Sequence, residues 1–200
     1  MNGMKREFRL LIESMRDCQI CAEHLSDTPN PIFQLSQTAS ILIVGQAPGR
    51  RVHESGIPFC DPSGDRLRDW MGISKNIFYD SGKIAILPMG FCYPGQGKSG
   101  DLPPRKECAQ AWRKQVLDQM PAVKLILVIG SYAIKWHIGK SAKQNLTETV
   151  RAWQFYESCA PEIIPLPHPS PRNNPWLRKN LWFEKEVLSN MQKKIQTYLE

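Results

Sequence analysis

The stretch Ser40-Ile41-Leu42-Ile43-Val44-Gly45-Gln46-Ala47-Pro48-Gly49 runs four aliphatic residues straight into a turn of two glycines and a proline. A short unbroken apolar run reads as a strand covered on both faces, because a half-exposed strand would alternate with polar residues. Three similar runs follow at 83–87, 124–130 and 162–166, each closed by turn residues. The spacing between them predicts helices at 63–72, at 104–119 (opened by Pro103-Pro104 and stopped by Pro121), and at 131–138 with Ser131 as N-cap. A last helix over 181–198 carries Val187, Leu188, Met191, Ile195 and Tyr198 on one face, with Asn180 as a cap. Strands alternating with helices predict an α/β fold, a three-layer α/β/α sandwich around a central, mainly parallel four-stranded sheet.

Upstream, Phe8, Leu11, Ile12 and Met15 recur at helical spacing within 5–17, and a Pro/Ser/Thr-rich connector covers 26–38. No internal repeat or shift in composition divides the 200 residues, so a single domain over 1–200 is expected, with a monomer as the default. Lys and Arg exceed Asp and Glu by 26 to 19, a net charge of +7 that suits a polyanionic partner such as nucleic acid. No apolar run approaches the roughly 20 residues that span a bilayer, and the N-terminus has no apolar signal core. A cytoplasmic protein without membrane attachment is the expectation, and its six cysteines are then reduced thiols in need of another explanation.

In parallel sheets ligands bind at the carboxyl ends of the strands. The loops expected there are Gly45–Gly49, 88–95, Gly130-Ser131-Tyr132, and Pro167-His168-Pro169-Ser170-Pro171-Arg172-Asn173. The last of these holds a histidine rigidly between prolines, either as a working donor or as a loop residue satisfied by a carbonyl. The first could equally be a plain strand-to-helix turn. Phosphate-binding Gly-x-x-x-x-Gly-Lys-Ser/Thr and Gly-x-Gly-x-x-Gly loops are absent, which argues against a nucleotide-binding α/β protein.

The Gln46 and His168 loops, in this order, resemble the uracil-DNA glycosylase superfamily, and the resemblance extends from Cys18 to about Trp182. The segment 45–59, followed by Pro62-Ser63-Gly64 and Leu67, looks most like its iron-sulfur branch. That branch has a Cys-x2-Cys pair, a Cys after the second strand and another fifteen residues further on, and Cys18, Cys21, Cys92 and Cys108 match this spacing. A 4Fe-4S cluster is therefore implied, with zinc or plain reduced thiols as the alternatives. Cys60 and Cys159 fit neither spacing and read as packed or spare thiols. A cluster would shape a basic surface carrying Lys98, Arg105 and Lys106.

The same resemblance implies a DNA glycosylase that flips a damaged base into a pocket and hydrolyses its N-glycosidic bond. His168 would stabilise the departing base, Phe59 would stack on it, and Gln46 and Ala47 would face it, with Ser170, Arg172 and Asn173 adding DNA contacts. Without the resemblance, Phe59 reads as a core aromatic. Trp176 or Leu177 would wedge into the duplex, or both pack under the last helix.

Two departures stand out. Relatives often carry an acidic residue where Gln46 stands, so water activation falls to Glu54, His53 or Asp61, of which Asp61 is favoured by its turn. They also place an Asn where Pro88 stands, and proline offers neither a side-chain amide nor an N–H to read a base. A substrate other than uracil, or a catalytically silent DNA-binding or damage-sensing module on the same fold, is the competing expectation.

Overall fold

The computed structural model describes residues 6–98 and 100–200. Six strands run in the order β1 Ile41–Val44, β2 Ile84–Ile86, β3 Gln96–Gly97, β4 Gly100–Asp101, β5 Leu125–Ile129 and β6 Glu162–Leu166. Four of them form one all-parallel sheet in the order β2-β1-β5-β6, and β3 and β4 pair apart as a small antiparallel hairpin.

All four runs read from the sequence are the strands of this sheet. Their aliphatic residues alternate between two cores as the pleat requires. Ile41, Ile43, Leu125, Leu127 and Ile129 face one core; Leu42, Val44, Ile126 and Val128 face the other. Helix α1 (Arg6–Arg16) buries Phe8, Leu11, Ile12 and Met15 on the second face, as its periodicity predicts. On the first face lie α3 (Pro62–Met71) and α11 (Ser189–Leu199), the latter extended upstream by a wider turn over Phe183–Leu188.

The sheet's outer edges are managed differently. At β6 the edge position accommodates Pro165. At β2 the connector seals the ladder: Gln34 exchanges backbone hydrogen bonds with Ile86, at 2.9 and 2.6 Å, and its side-chain amide donates to the carbonyls of Ile84 and Phe78.

Short helices complete the layers: α2 (Arg50–Ser55), α4 (Lys75–Phe78), α5 (Lys106–Cys108), α6 (Lys114–Asp118), α7 (Gly130–His137), α8 (Leu146–Arg151), α9 (Trp153–Glu157) and α10 (Asn174–Lys179). The expected helix over 104–119 is α5 and α6 joined through a π-turn over Ala109–Arg113. Two caps differ from expectation. Gly130, at φ 79°, makes the turn out of β5 and opens α7 itself, so Ser131 lies inside the first turn. Asn180 places no side-chain cap on the last helix; its amide bridges the Trp176 carbonyl and the Trp182 indole, at 2.8 and 3.0 Å. Among the described residues no helix is long and apolar enough to cross a membrane.

Among the described residues, one charged side chain sits wholly inside. Arg113, carried inward by the π-turn, has no exposed surface. Its Nη2 donates to the Leu87 and Pro88 carbonyls at 3.0 and 2.6 Å, and Nη1 lies 3.2 Å from His137 Nε2 at the end of α7. Burial lowers the guanidinium to about 10; burial, reinforced by the Arg113 charge, pushes His137 down to about 3. His137 is thus a neutral acceptor at physiological pH.

Below its ordinary pKa of 6.5, His137 binds fewer protons in the folded than in the unfolded chain. Stability is therefore fully present above that value and falls as pH drops towards 3, by an amount on the order of several kcal/mol. In an NMR titration the His137 ring resonances should stay flat from about pH 8 to about pH 4.5; a midpoint near 6.5 would mean that the ring is hydrated.

Candidate active site

A cleft of about 520 Å³ opens at the carboxyl ends of the strands, within the range of roughly 300–1,000 Å³ that encloses a small ligand. Parallel pairing brings its walls together, because backbone bonds from Leu87, Met89 and Gly90 to Ile43, Gly45 and Gln46 continue the β1–β2 ladder into the two loops. Gln46, Ala47, Phe59, Asp61, His168, Ser170, Arg172 and Asn173 all line the cleft. Glu54 does not: it stands exposed on α2, 4.0 Å from Arg50.

The His168 loop is braced from within. The Ser170 N–H donates to His168 Nδ1 at 3.2 Å, which makes Nδ1 the acceptor and leaves the proton of the neutral ring on Nε2. The Asn173 amide donates to the His168 carbonyl at 2.7 Å, and Arg66 reaches from α3 to the carbonyls of Pro169 and Ser170. Burial lowers the His168 pKa, opposed by the negative charges of Asp61 and Asp101. At neutral pH the site holds an uncharged imidazole with a fixed N–H donor.

Phe59 is the one described non-glycine residue with positive φ, at 55°, a conformation that costs about 1–3 kcal/mol unless its surroundings hold it. Its carbonyl accepts from Arg68 at 3.2 Å, while Tyr79 donates to the preceding Pro58 carbonyl at 3.0 Å. Its ring meets Phe78 edge to face with centroids 6.1 Å apart. Gly64 makes the turn possible, since a β-carbon there would lie 1.8 Å from the Phe59 carbonyl oxygen. Asp61 begins α3 as its N-cap, Oδ1 accepting from the Gly64 N–H at 3.0 Å. The Phe59 loop is thus built around Gly64, Arg68 and Tyr79; of these the motif comparison singled out Gly64 alone.

Pro88 lines the cleft with its carbonyl committed to Arg113. Of the expected basic surface, Lys98 and Lys106 are exposed, whereas Arg105 is spent on Glu107 and Cys21. Trp176 and Leu177 are half-buried against the core that the last helix covers, Trp176 against Trp182 and Phe183 with its indole donating to Thr147, as the packing reading expects. The sequence also gave no hint of Asp101, which the hairpin brings into the cleft lining.

On the far side of the post-β2 loop, Cys18, Cys21, Cys92 and Cys108 line one small cavity of about 20 Å³. Three N–H groups face their sulfurs: the Trp112 indole at Cys18 and the Phe91 amide at Cys108, both at 3.3 Å, and the Asn30 amide at Cys92. Among the described residues no three metal-ligating side chains close on a single ion position. Burial pushes Cys92 up to about 11 and Cys108 up to about 12, so the bare thiols remain protonated at neutral pH. Cys60 and Cys159 are exposed and stand apart; neither is packed.

Residues 33–192 match the family model described as the Uracil DNA glycosylase superfamily.

Gly64→Ala should force the Phe59 turn to move, because the new methyl meets backbone and cannot be accommodated by a side-chain rotation. A loss of about 2–4 kcal/mol, or roughly 5–15 °C in Tm, is expected in a thermal melt. A Tm within about 1 °C of wild type would show that the turn is looser than this contact requires.

Proposed function

Because the chain belongs to the uracil-DNA glycosylase superfamily, we propose that its cleft hydrolyses the N-glycosidic bond of uracil or a related deaminated base in DNA. The observation that carries this reading is the neutral His168, whose Nδ1 is occupied by the Ser170 amide so that Nε2–H is the ring's remaining donor. Bond cleavage sends the electron pair onto the leaving base, and a prepositioned neutral donor stabilises that developing anion without first losing a proton.

The flipped base would stack on Phe59, held rigid by its strained turn, with the Gln46 amide and the Ala47 backbone facing its edge. Asp61 is held by its cap through one carboxylate oxygen, and its negative charge near the sugar would favour the cationic character that develops there. Arg172 would contact the DNA backbone, while Ser170 and Asn173 would serve mainly by bracing His168.

The four cysteines would hold the 4Fe-4S cluster that their spacing implies. A zinc ion needs four sulfurs about 2.3 Å from one point, whereas a cubane binds one thiolate at each of four separate iron corners. Four cysteines that share one cavity, three of them faced by N–H donors, supply the four thiolates that such a cluster takes. When bound, the cluster would supply cross-links between the segment after α1, the post-β2 loop and α5.

A second reading, a catalytically silent DNA-binding module, draws support from Pro88, which has no N–H and whose carbonyl is taken by Arg113. Incubation with single- and double-stranded oligonucleotides carrying uracil, hypoxanthine or xanthine, followed by alkaline scission, separates the two. Strand breaks are expected, with His168→Ala slower by roughly 100- to 1,000-fold; DNA binding without breaks would sink the enzyme reading. Protein purified without air should be brown and carry about four irons and four sulfides per chain. A colourless zinc-bearing preparation would refute the cluster.

A further inference from the structure

Resting on the glycosylase reading, we propose that Asp101 is a catalytic residue that accepts the proton of the attacking water. The hairpin β3–β4 pairs Gln96 with Asp101 and Gly97 with Gly100, and the Leu102 N–H closes onto the Gly95 carbonyl at 2.8 Å. This carries Asp101 into the cleft beside the Gln46 loop, where a β-carbon on Gly49 would stand 3.4 Å from Asp101 Oδ2.

Its position is keyed to the His168 loop. Gly100 has φ 141°, and a β-carbon there would lie 2.3 Å from Arg172 Nη1. The guanidinium therefore packs directly on the hairpin backbone, and the residue that follows Gly100 is set relative to the loop that carries His168.

Three acidic side chains are near enough in sequence or space to be considered. Glu54 is outside the cleft and faces Arg50. Asp61 is inside, but one of its oxygens caps α3. Asp101 is inside, caps no helix, and lies close enough to His168 for its charge to act on that ring. A carboxylate lining a cleft that receives DNA works against phosphate binding, so its presence there calls for a gain elsewhere.

The chemistry supplies that gain. The water oxygen bonds to C1′ as the C1′–N bond breaks; the electron pair of that bond leaves with the base, stabilised by the His168 donor. The water proton passes to the Asp101 carboxylate and then to solvent or the free base, so that atoms and charge balance.

The isosteric Asp101→Asn tests this with two readouts that move in opposite directions. Single-turnover excision should fall by about 100-fold or more, while the Kd for DNA stays equal or becomes tighter as a negative charge is removed. A charge-matched probe makes the test independent of the lesion: wild type should bind an oligonucleotide with a cationic pyrrolidine abasic analogue more tightly than one with neutral tetrahydrofuran, and Asp101→Asn should lose that preference. Excision by wild type that the variant retains within about threefold overturns this proposal and leaves the glycosylase reading standing. Absence of excision of every base together with absence of a cationic preference overturns both.

Discussion

The parallel pairing of β1 with β2 and β5 is the constraint on which the rest depends. Because all four strands point the same way, every strand-to-loop junction lies at one edge of the sheet, and residues far apart in sequence become neighbours. The ladder does not stop at the strands: bonds from Met89 to Gly45 and from Gly90 to Gln46 lock the first loop to the second. That one seam holds the cleft on one side of the post-β2 loop and the four-cysteine cavity on the other. Gly90 and Phe91 line the cysteine cavity two and three residues beyond Pro88, which lines the cleft, so anything that binds the cysteines would also stiffen a wall of the cleft.

The cleft is then made rigid by local devices, each of which spends a backbone or polar group. His168 has its ring nitrogen and its carbonyl occupied within its own loop. Phe59 is held in a left-handed turn by Arg68 and by the bare Cα of Gly64. Under the proposed function, preorganisation of this kind would remove the cost of ordering donors and stacking surfaces for a base.

How much of this was legible follows from the range of the interactions. The strands and α1 were, because two-sided burial leaves unbroken aliphatic runs and one-sided burial leaves a helical period, both local signals. The His168 loop and the cysteine spacing were legible through resemblance to a family. Arg113 was not, since the π-turn that rotates it inward has no pattern in Ala109–Arg113. Nor was Asp101: it lies beyond the sheet in a hairpin of two-residue strands, too short to carry any alternation. Trp176 and Leu177 could not be told apart from wedges, because a large apolar residue after a catalytic loop looks alike whether it packs inward or out. For Trp176 the ring contacts with Trp182 and Phe183 show the inward packing, and Leu177 packs against the same core.

The buried Arg113 also bears on how a base could be selected. By drawing the Leu87 and Pro88 carbonyls inward it fixes the post-β2 wall, yet it also withdraws the only polar backbone group that Pro88 could have offered to a ligand. Against that wall, with Pro58, Phe59 and Ile86 also apolar, the groups proposed to face a base are the Gln46 amide, the Ala47 backbone and the His168 donor. A glutamine amide presents both a donor and an acceptor and can turn to exchange them, so it pairs with the edges of several deaminated bases nearly equally well. Such a site discriminates by shape and by the stability of the leaving anion more than by hydrogen-bond pattern. The expected consequence is a broad preference among bases that leave easily, and not the strict rejection of near-isosteres that a fully paired polar pocket achieves.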